Sequence, residues 1–183
     1  MKKILLLSVI ILGLSSFVYS QNKSSFGING GLAIPTGKLA DSQELGFQFG
    51  GIGRIVTSSP TVMVAIGASY TMLSGKKEDV TLYAGSSTFV GTIEYESFKP
   101  FNVFVGPQFG KEKGAYFLPA ITGNFEKDWT RFGIDIGAGS LIPVGTGKNK
   151  VDLSVKFSLM NLIGKKEGEK SASVFRILAG LTF

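Results

Sequence analysis

Along most of this chain apolar and polar residues take turns, one for one. Residues 26 to 35, FGINGGLAIP, place Phe26, Ile28, Leu32 and Ile34 on one parity, with Gly30 among them; Gly27, Asn29, Gly31 and Ala33 fall on the other. A repeat of two marks a strand whose two faces meet different surroundings. The same alternation returns over 45–56, 62–73, 88–98, 101–110, 131–142 and 151–162, and in the closing stretch SVFRILAGLTF, 173–183. Between these runs lie segments rich in turn residues: TGKLADSQE (36–44), TSSP (57–60), a stretch at 74–87 containing GKKED, KP at 99 and 100, PVGTGKNK (143–150), and IGKKEGEKSAS (163–173).

The count of runs predicts eight strands. Residues 111–130, KEKGAYFLPAITGNFEKDWT, fit less easily. Tyr116 to Phe125 is apolar enough for strand structure, but Pro119 has no N–H to give to a ladder. Read as a tall external hairpin, this segment leaves eight strands; read as an extra strand pair, it makes ten.

The charges discriminate between folds. Within the eight assigned strands Arg54, Glu94, Glu96, Asp135, Asp152, Lys156 and Arg176 all lie opposite the large apolar residues. Phe26, Phe47, Phe49, Tyr70, Phe89, Tyr95, Phe101, Phe109, Phe132, Phe157, Phe175 and Phe183 take the apolar parity. A face without charge over eight strands is what hydrocarbon demands, because Arg or Lys near the bilayer midplane costs about 2–4 kcal/mol. Length agrees: about 11 residues rising roughly 3.3 Å each and tilted about 45° cover a band about 25 Å tall. A secreted sandwich or lipocalin-like barrel alternates too, with its apolar residues turned inward. Its solvent face usually carries Lys, Glu and Thr, whereas here glycine and small residues fill much of the second face, as the inside of a narrow barrel requires. The reading is an all-β, eight-stranded antiparallel up-and-down transmembrane β-barrel, with ten strands as the alternative.

The first twenty residues stand apart. Lys2 and Lys3 precede an apolar stretch, Ile4 to Leu14, which is too short to span a bilayer as a helix. Ser20 supplies a small residue at a cleavage site, so 1–20 reads as a signal peptide cleaved after Ser20, and 21–183 as one barrel domain. No later apolar stretch is long enough for a transmembrane helix. Without the first twenty residues, 17 basic residues face 13 acidic ones. That mild excess, with no basic stripe, gives no footprint for nucleic acid. The chain has no Cys and no His, which excludes disulfides, thiol catalysis, Cys- or His-ligated metals and a histidine general base. GTGK at 145–148 lacks the first glycine of a phosphate loop (Ile142 stands there) and has Asn149 where Ser or Thr belongs. GGIGR at 50–54 lies inside a strand and opens no helix. No cofactor is expected.

The N-terminal segment, FGIDIGAG with LIPVG behind it (132–145), VDLSVKF (151–157) and the final FRILAGLTF together resemble the small outer-membrane β-barrel proteins of Gram-negative bacteria, OmpA/OmpX-like in architecture. The likeness spans essentially the whole chain after residue 20. It implies residence in the outer membrane. It also implies that Phe183, an aromatic ending an alternating strand, is read by the barrel-assembly machinery.

An eight-stranded barrel is just wide enough for its side chains to fill. Seven inward charges therefore predict a charge-paired interior, since unpaired burial is costly. Lys156 and Arg176 fall at similar heights on neighbouring strands, with Asp152, Glu94 and Glu96 as expected partners and Arg54 as a further member. The expected function is that of a non-enzymatic, integral outer-membrane protein with a structural or interaction role and a plugged lumen; the alternative is a narrow channel or a small-ligand or lipid-binding barrel. A hydrolase using Glu94 and Glu96 as an acid/base pair is the weakest reading, because barrel enzymes of the resembled architecture generally rely on a catalytic His. Expected external loops are 36–44, 74–87, about 111–130 and 163–173. Their Lys76, Lys77, Lys111, Lys113, Lys127, Lys165, Lys166 and Lys170 have the charge to meet anionic lipopolysaccharide, and outer-membrane lipid is the expected surroundings. Tyr116, Phe117, Phe125 and Trp129 are unusual for an exposed loop and point to a tall hairpin or a partner surface.

Overall fold

In a computed structural model, residues 24–84, 87–127, 129–164 and 171–183 are described. The expected signal peptide, and Lys165, Lys166 and Lys170, lie outside them. The alternating runs form ten strands: β1 (Ser24–Thr36), β2 (Gly46–Val56), β3 (Val62–Met72), β4 (Lys77–Ala84), β5 (Ser87–Glu94), β6 (Phe101–Gly110), β7 (Gly114–Glu126), β8 (Trp129–Pro143), β9 (Lys150–Ile163) and β10 (Ser173–Thr182). Eight of them close into an antiparallel barrel in the order β1-β2-β3-β6-β7-β8-β9-β10, while β4 and β5 pair only with each other. The last strand closes on the first, from Gly27↔Thr182 to Thr36↔Ser173. The Phe183 N–H extends this ladder to the Phe26 carbonyl at 2.7 Å.

The barrel has the expected eight strands, with one different member. Residues 88–98 do not cross the barrel: β5 is the second arm of a hairpin whose pairs run from Lys77↔Glu94 to Ala84↔Ser87. The strand expected there is supplied by β7, inside the awkward segment, paired with β8 from Gly114↔Leu141 to Glu126↔Trp129. The course of the chain changes accordingly. The turn at 111–113 lies at the end of the barrel that holds Ser24 and Phe183, with the turns at 57–61 and 144–149. The connections after β1, β3, β7 and β9 lie at the other end, so Lys111 and Lys113 are not on the side of the long connections.

Pro119 is accommodated by a second proline. The β6–β7 ladder runs from Phe101↔Phe125 to Val105↔Ile121 and resumes at Phe109↔Phe117 in the same register. That register sets Pro107 opposite Pro119. Each lacks an N–H, and the missing donors fall at one shared position, so both outer neighbours keep their pairing: Val64↔Pro107 with β3 and Pro119↔Ile136 with β8.

The end with the long connections is stitched together by backbone bonds. After β1 the chain makes a short 3-10 turn, Gly37–Asp41, entered through Gly37 at φ 57, a conformation that favours glycine. The Glu44 N–H then donates to the Ser74 carbonyl at 2.8 Å, and Lys76 N–H to Ser42 at 2.9 Å. A bridge between Leu73 and Phe98 closes the foot of the hairpin.

Two apolar clusters fill the inside. Ala33, Leu73, Met160 and Val174 pack with Leu39, Phe98 and Ala172 beneath the long connections. Ile52, Ala65, Phe104, Tyr116, Leu118, Ala120 and Leu141 form the other. The outer surface is apolar: Phe26, Phe47, Ile66, Val105, Ile121, Ile134, Val155 and Ile177 are all exposed. Among the described residues no helix is long and apolar enough to cross a membrane.

Candidate functional site

The chemistry-bearing residues of the barrel strands converge on its interior. Charged residues there are Arg54, Glu126, Arg131, Asp135, Lys150, Asp152, Lys156 and Arg176, and every one takes the inward parity. Alternation is the cause. A strand that shows Leu153, Val155 and Phe157 outside must turn Asp152, Lys156 and Ser158 inside.

Near the end that holds Ser24 and Phe183, Arg54 is completely buried. Its Nε donates to Gln108 Oε1 at 2.9 Å and one terminal nitrogen to Thr182 Oγ1 at 3.1 Å. Its other terminal nitrogen is bonded to Asp152 Oδ2. The Tyr116 hydroxyl donates to the other oxygen of the same carboxylate at 2.7 Å. The Arg54 guanidinium also lies 5.5 Å from the Tyr116 ring centroid, within cation–π range. Strands β2, β6, β7, β9 and β10 are thus joined across the lumen by one network. At the mouth of that end, buried Lys150 reaches the exposed Glu112 at 3.0 Å.

A second group lies deeper along β8, β9 and β10. Lys156 Nζ is 3.5 Å from Asp135 Oδ2 and 3.8 Å from the Phe104 ring centroid. Ser158 donates to Asp135, and Arg176 donates to Ser158. Arg176 and Lys156 are directly opposite in the β9–β10 register. A third, uncharged group links Asn102 to Asn124, Asn124 Nδ2 to the Met160 carbonyl at 2.7 Å, and the Thr71 hydroxyl to Gln48 at 3.3 Å.

Five of the seven residues expected in the lumen are therefore in it: Arg54, Asp135, Asp152, Lys156 and Arg176. Glu94 and Glu96 are not. Both are exposed, Glu94 pairs with Lys77 at 3.1 Å on the hairpin, and the Glu96 backbone carbonyl accepts from Gln43 at its foot. The physical reason is that a projecting two-stranded hairpin is two-faced as well, so its polar face copies the inward face of a barrel strand. Removing these carboxylates leaves Asp135 and Asp152 as separate partners of Lys156 and Arg54.

Tyr116 and Gln108 belong to the site although sequence reasoning did not place them there. Tyr116, Leu118, Ala120, Thr122 and Asn124 share a parity opposite Phe117, Ile121 and Phe125, which was the available signal. Pro119, in the middle, obscured it. Lys150 shares parity with Asp152 just before the expected strand start at 151, and Arg131 shares parity with Asp135 as the first residue of the run 131–142. Among the described residues no group of three or more carboxylates is placed to hold a metal ion.

No known family's sequence profile matches the chain, and no curated protein sequence does. Among solved structures, the backbone of the Yersinia pestis outer membrane protein Ail in a phospholipid bilayer nanodisc is similar at a TM-score of 0.45 and 17% identity, over 88% of this chain and 100% of that one. Likeness at this level establishes neither a family nor a function.

Proposed function

We propose that this chain is an integral outer-membrane β-barrel protein, non-enzymatic, with a side-chain-filled lumen and a structural or interaction role. One observation carries the reading: the eight barrel strands bear charge on their inward faces alone, and their outward faces are continuous in Phe, Ile, Leu, Val and small residues. In water this arrangement would expose a large apolar belt and bury several ions, the reverse of what stabilises a soluble fold. In hydrocarbon it is the favourable one. Arg54, Gln108, Tyr116, Asp152 and Thr182, bridging five strands, support a plugged lumen over an open pore.

The interaction role rests on the hairpin. Cross-strand pairing puts Val80, Phe89 and Ile93 on one face together with Glu78, and Lys77, Asp79, Thr81, Thr88, Thr92 and Glu94 on the other together with Val90. Phe89 and Ile93 are exposed. Phe183, outward-facing and bonded to Phe26, is suited to be the residue read by the assembly machinery.

Gel migration of the protein from isolated envelopes tests the membrane reading. The folded barrel should migrate differently before and after boiling. Equal mobility, with recovery in soluble fractions alone, would sink the proposal. In planar bilayers no steady current is expected; a steady current altered by Asp152→Asn would favour the narrow channel.

A further inference from the structure

The inner group of charges does not balance. Arg176 and Lys156 stand opposite each other on adjacent strands, and the one carboxylate they share is Asp135. Asp152, the other buried carboxylate, is committed to Arg54 and Tyr116. Two cations and one anion leave a single positive charge inside the barrel. Like charges placed directly across a ladder repel, and an uncompensated buried ion is costly.

The donors are unbalanced at the same place. Arg176 is 2% exposed, and its bond to Ser158 uses one terminal nitrogen. Its Nε and its other terminal nitrogen are buried without a hydrogen-bond partner. Those two N–H groups form the side edge of the guanidinium, two parallel donors that match the oxygens of a planar oxyanion. Buried donors are nearly always satisfied, so an orphaned fork in a fully enclosed arginine calls for a partner.

We infer that the Arg176 fork, with Lys156 beside it, binds a small monovalent oxyanion of the carboxylate or bicarbonate class within the barrel. One such ion supplies the missing negative charge and the two missing acceptors together. The apolar cluster of Leu73, Met160 and Val174 with Leu39 and Phe98 shields this compartment from the long connections, so the ion is taken up as the barrel closes. The inference depends on the lumen alone and holds whether or not the interaction role does.

The test is to refold the full chain into phospholipid bilayers in sodium formate or in sodium chloride at equal concentration. Formate should raise the thermal midpoint by several degrees over chloride, and 13C-formate should give a bound signal by NMR. Arg176→Lys keeps the charge and loses the fork; it should fold and lose both effects. Asp135→Asn removes the shared carboxylate, so the midpoint should depend on formate more steeply than in the natural protein. Equal stabilisation by chloride, no response to formate, a bound formate signal that persists in Arg176→Lys, or an Asp135→Asn barrel indifferent to formate would each overturn the site.

Discussion

Two ion pairs in this molecule have nearly the same geometry and opposite consequences. Lys77 and Glu94 face each other across the hairpin at 3.1 Å, each about two-thirds exposed. Lys156 and Asp135 are 3.5 Å apart inside the barrel, each at most one-tenth exposed. The shorter pair matters less. In water its attraction is screened and two flexible side chains lose freedom to hold it, so such a pair contributes about 0–1 kcal/mol. Within the lumen neither partner can turn to bulk solvent, and removing one strands the other. Surroundings, and not separation, decide the worth of a charge here.

The strongest way to break that contrast is to remove one member of the tightest lumen pair. Asp152→Asn leaves the Arg54 guanidinium buried without its counter-charge, and should cost about 3–5 kcal/mol in denaturant unfolding from lipid vesicles. Replacing both partners, Arg54→Met with Asp152→Leu, should recover much of that loss, because a well-packed apolar pair removes the charges it would otherwise strand. A loss in the double variant as large as in the single would show that the network carries more than pairing. Next in size is a charge on the outer face. Val155→Arg should cost about 2–4 kcal/mol in the same measurement, and a cost near zero would place Val155 in water. The hairpin should be nearly silent. Replacing 77–94 by a short glycine linker should leave the unfolding midpoint of the barrel almost unchanged, since β4 and β5 pair with no barrel strand. Smallest of all, Glu94→Gln should shift stability by no more than about 0.5 kcal/mol.

The same comparison shows what sequence can disclose. Periodicity of two identified β1, β2, β3, β6, β8, β9 and β10 and the parity of their charges, because a barrel strand whose inner and outer faces meet unlike surroundings must alternate. It misassigned residues 88–98, where Phe89 and Ile93 alternate with Thr92 and Glu94 as they would in a barrel wall. Alternation reports two unlike faces and does not say what covers them. The preferred eight-strand reading left β7 out of the wall because a lone proline argues against a strand, whereas the compensating Pro107 is a partner in space that no local window contains. Pairing within the lumen was hidden for a related reason. Arg54 and Asp152 are far apart along the chain, and their meeting depends on the stagger of the closed barrel and not on strand order alone.

The facing prolines carry a mechanical consequence. At Pro107 and Pro119 the seam between β6 and β7 loses its cross-strand links over a short interval, while the ladders on either side continue. A closed cylinder has no free edge, so it opens first wherever two adjacent staves are least firmly joined. This wall has such a place built in. Lateral parting on heating meets its lowest resistance there, on the side of the cylinder away from the β1–β10 closure.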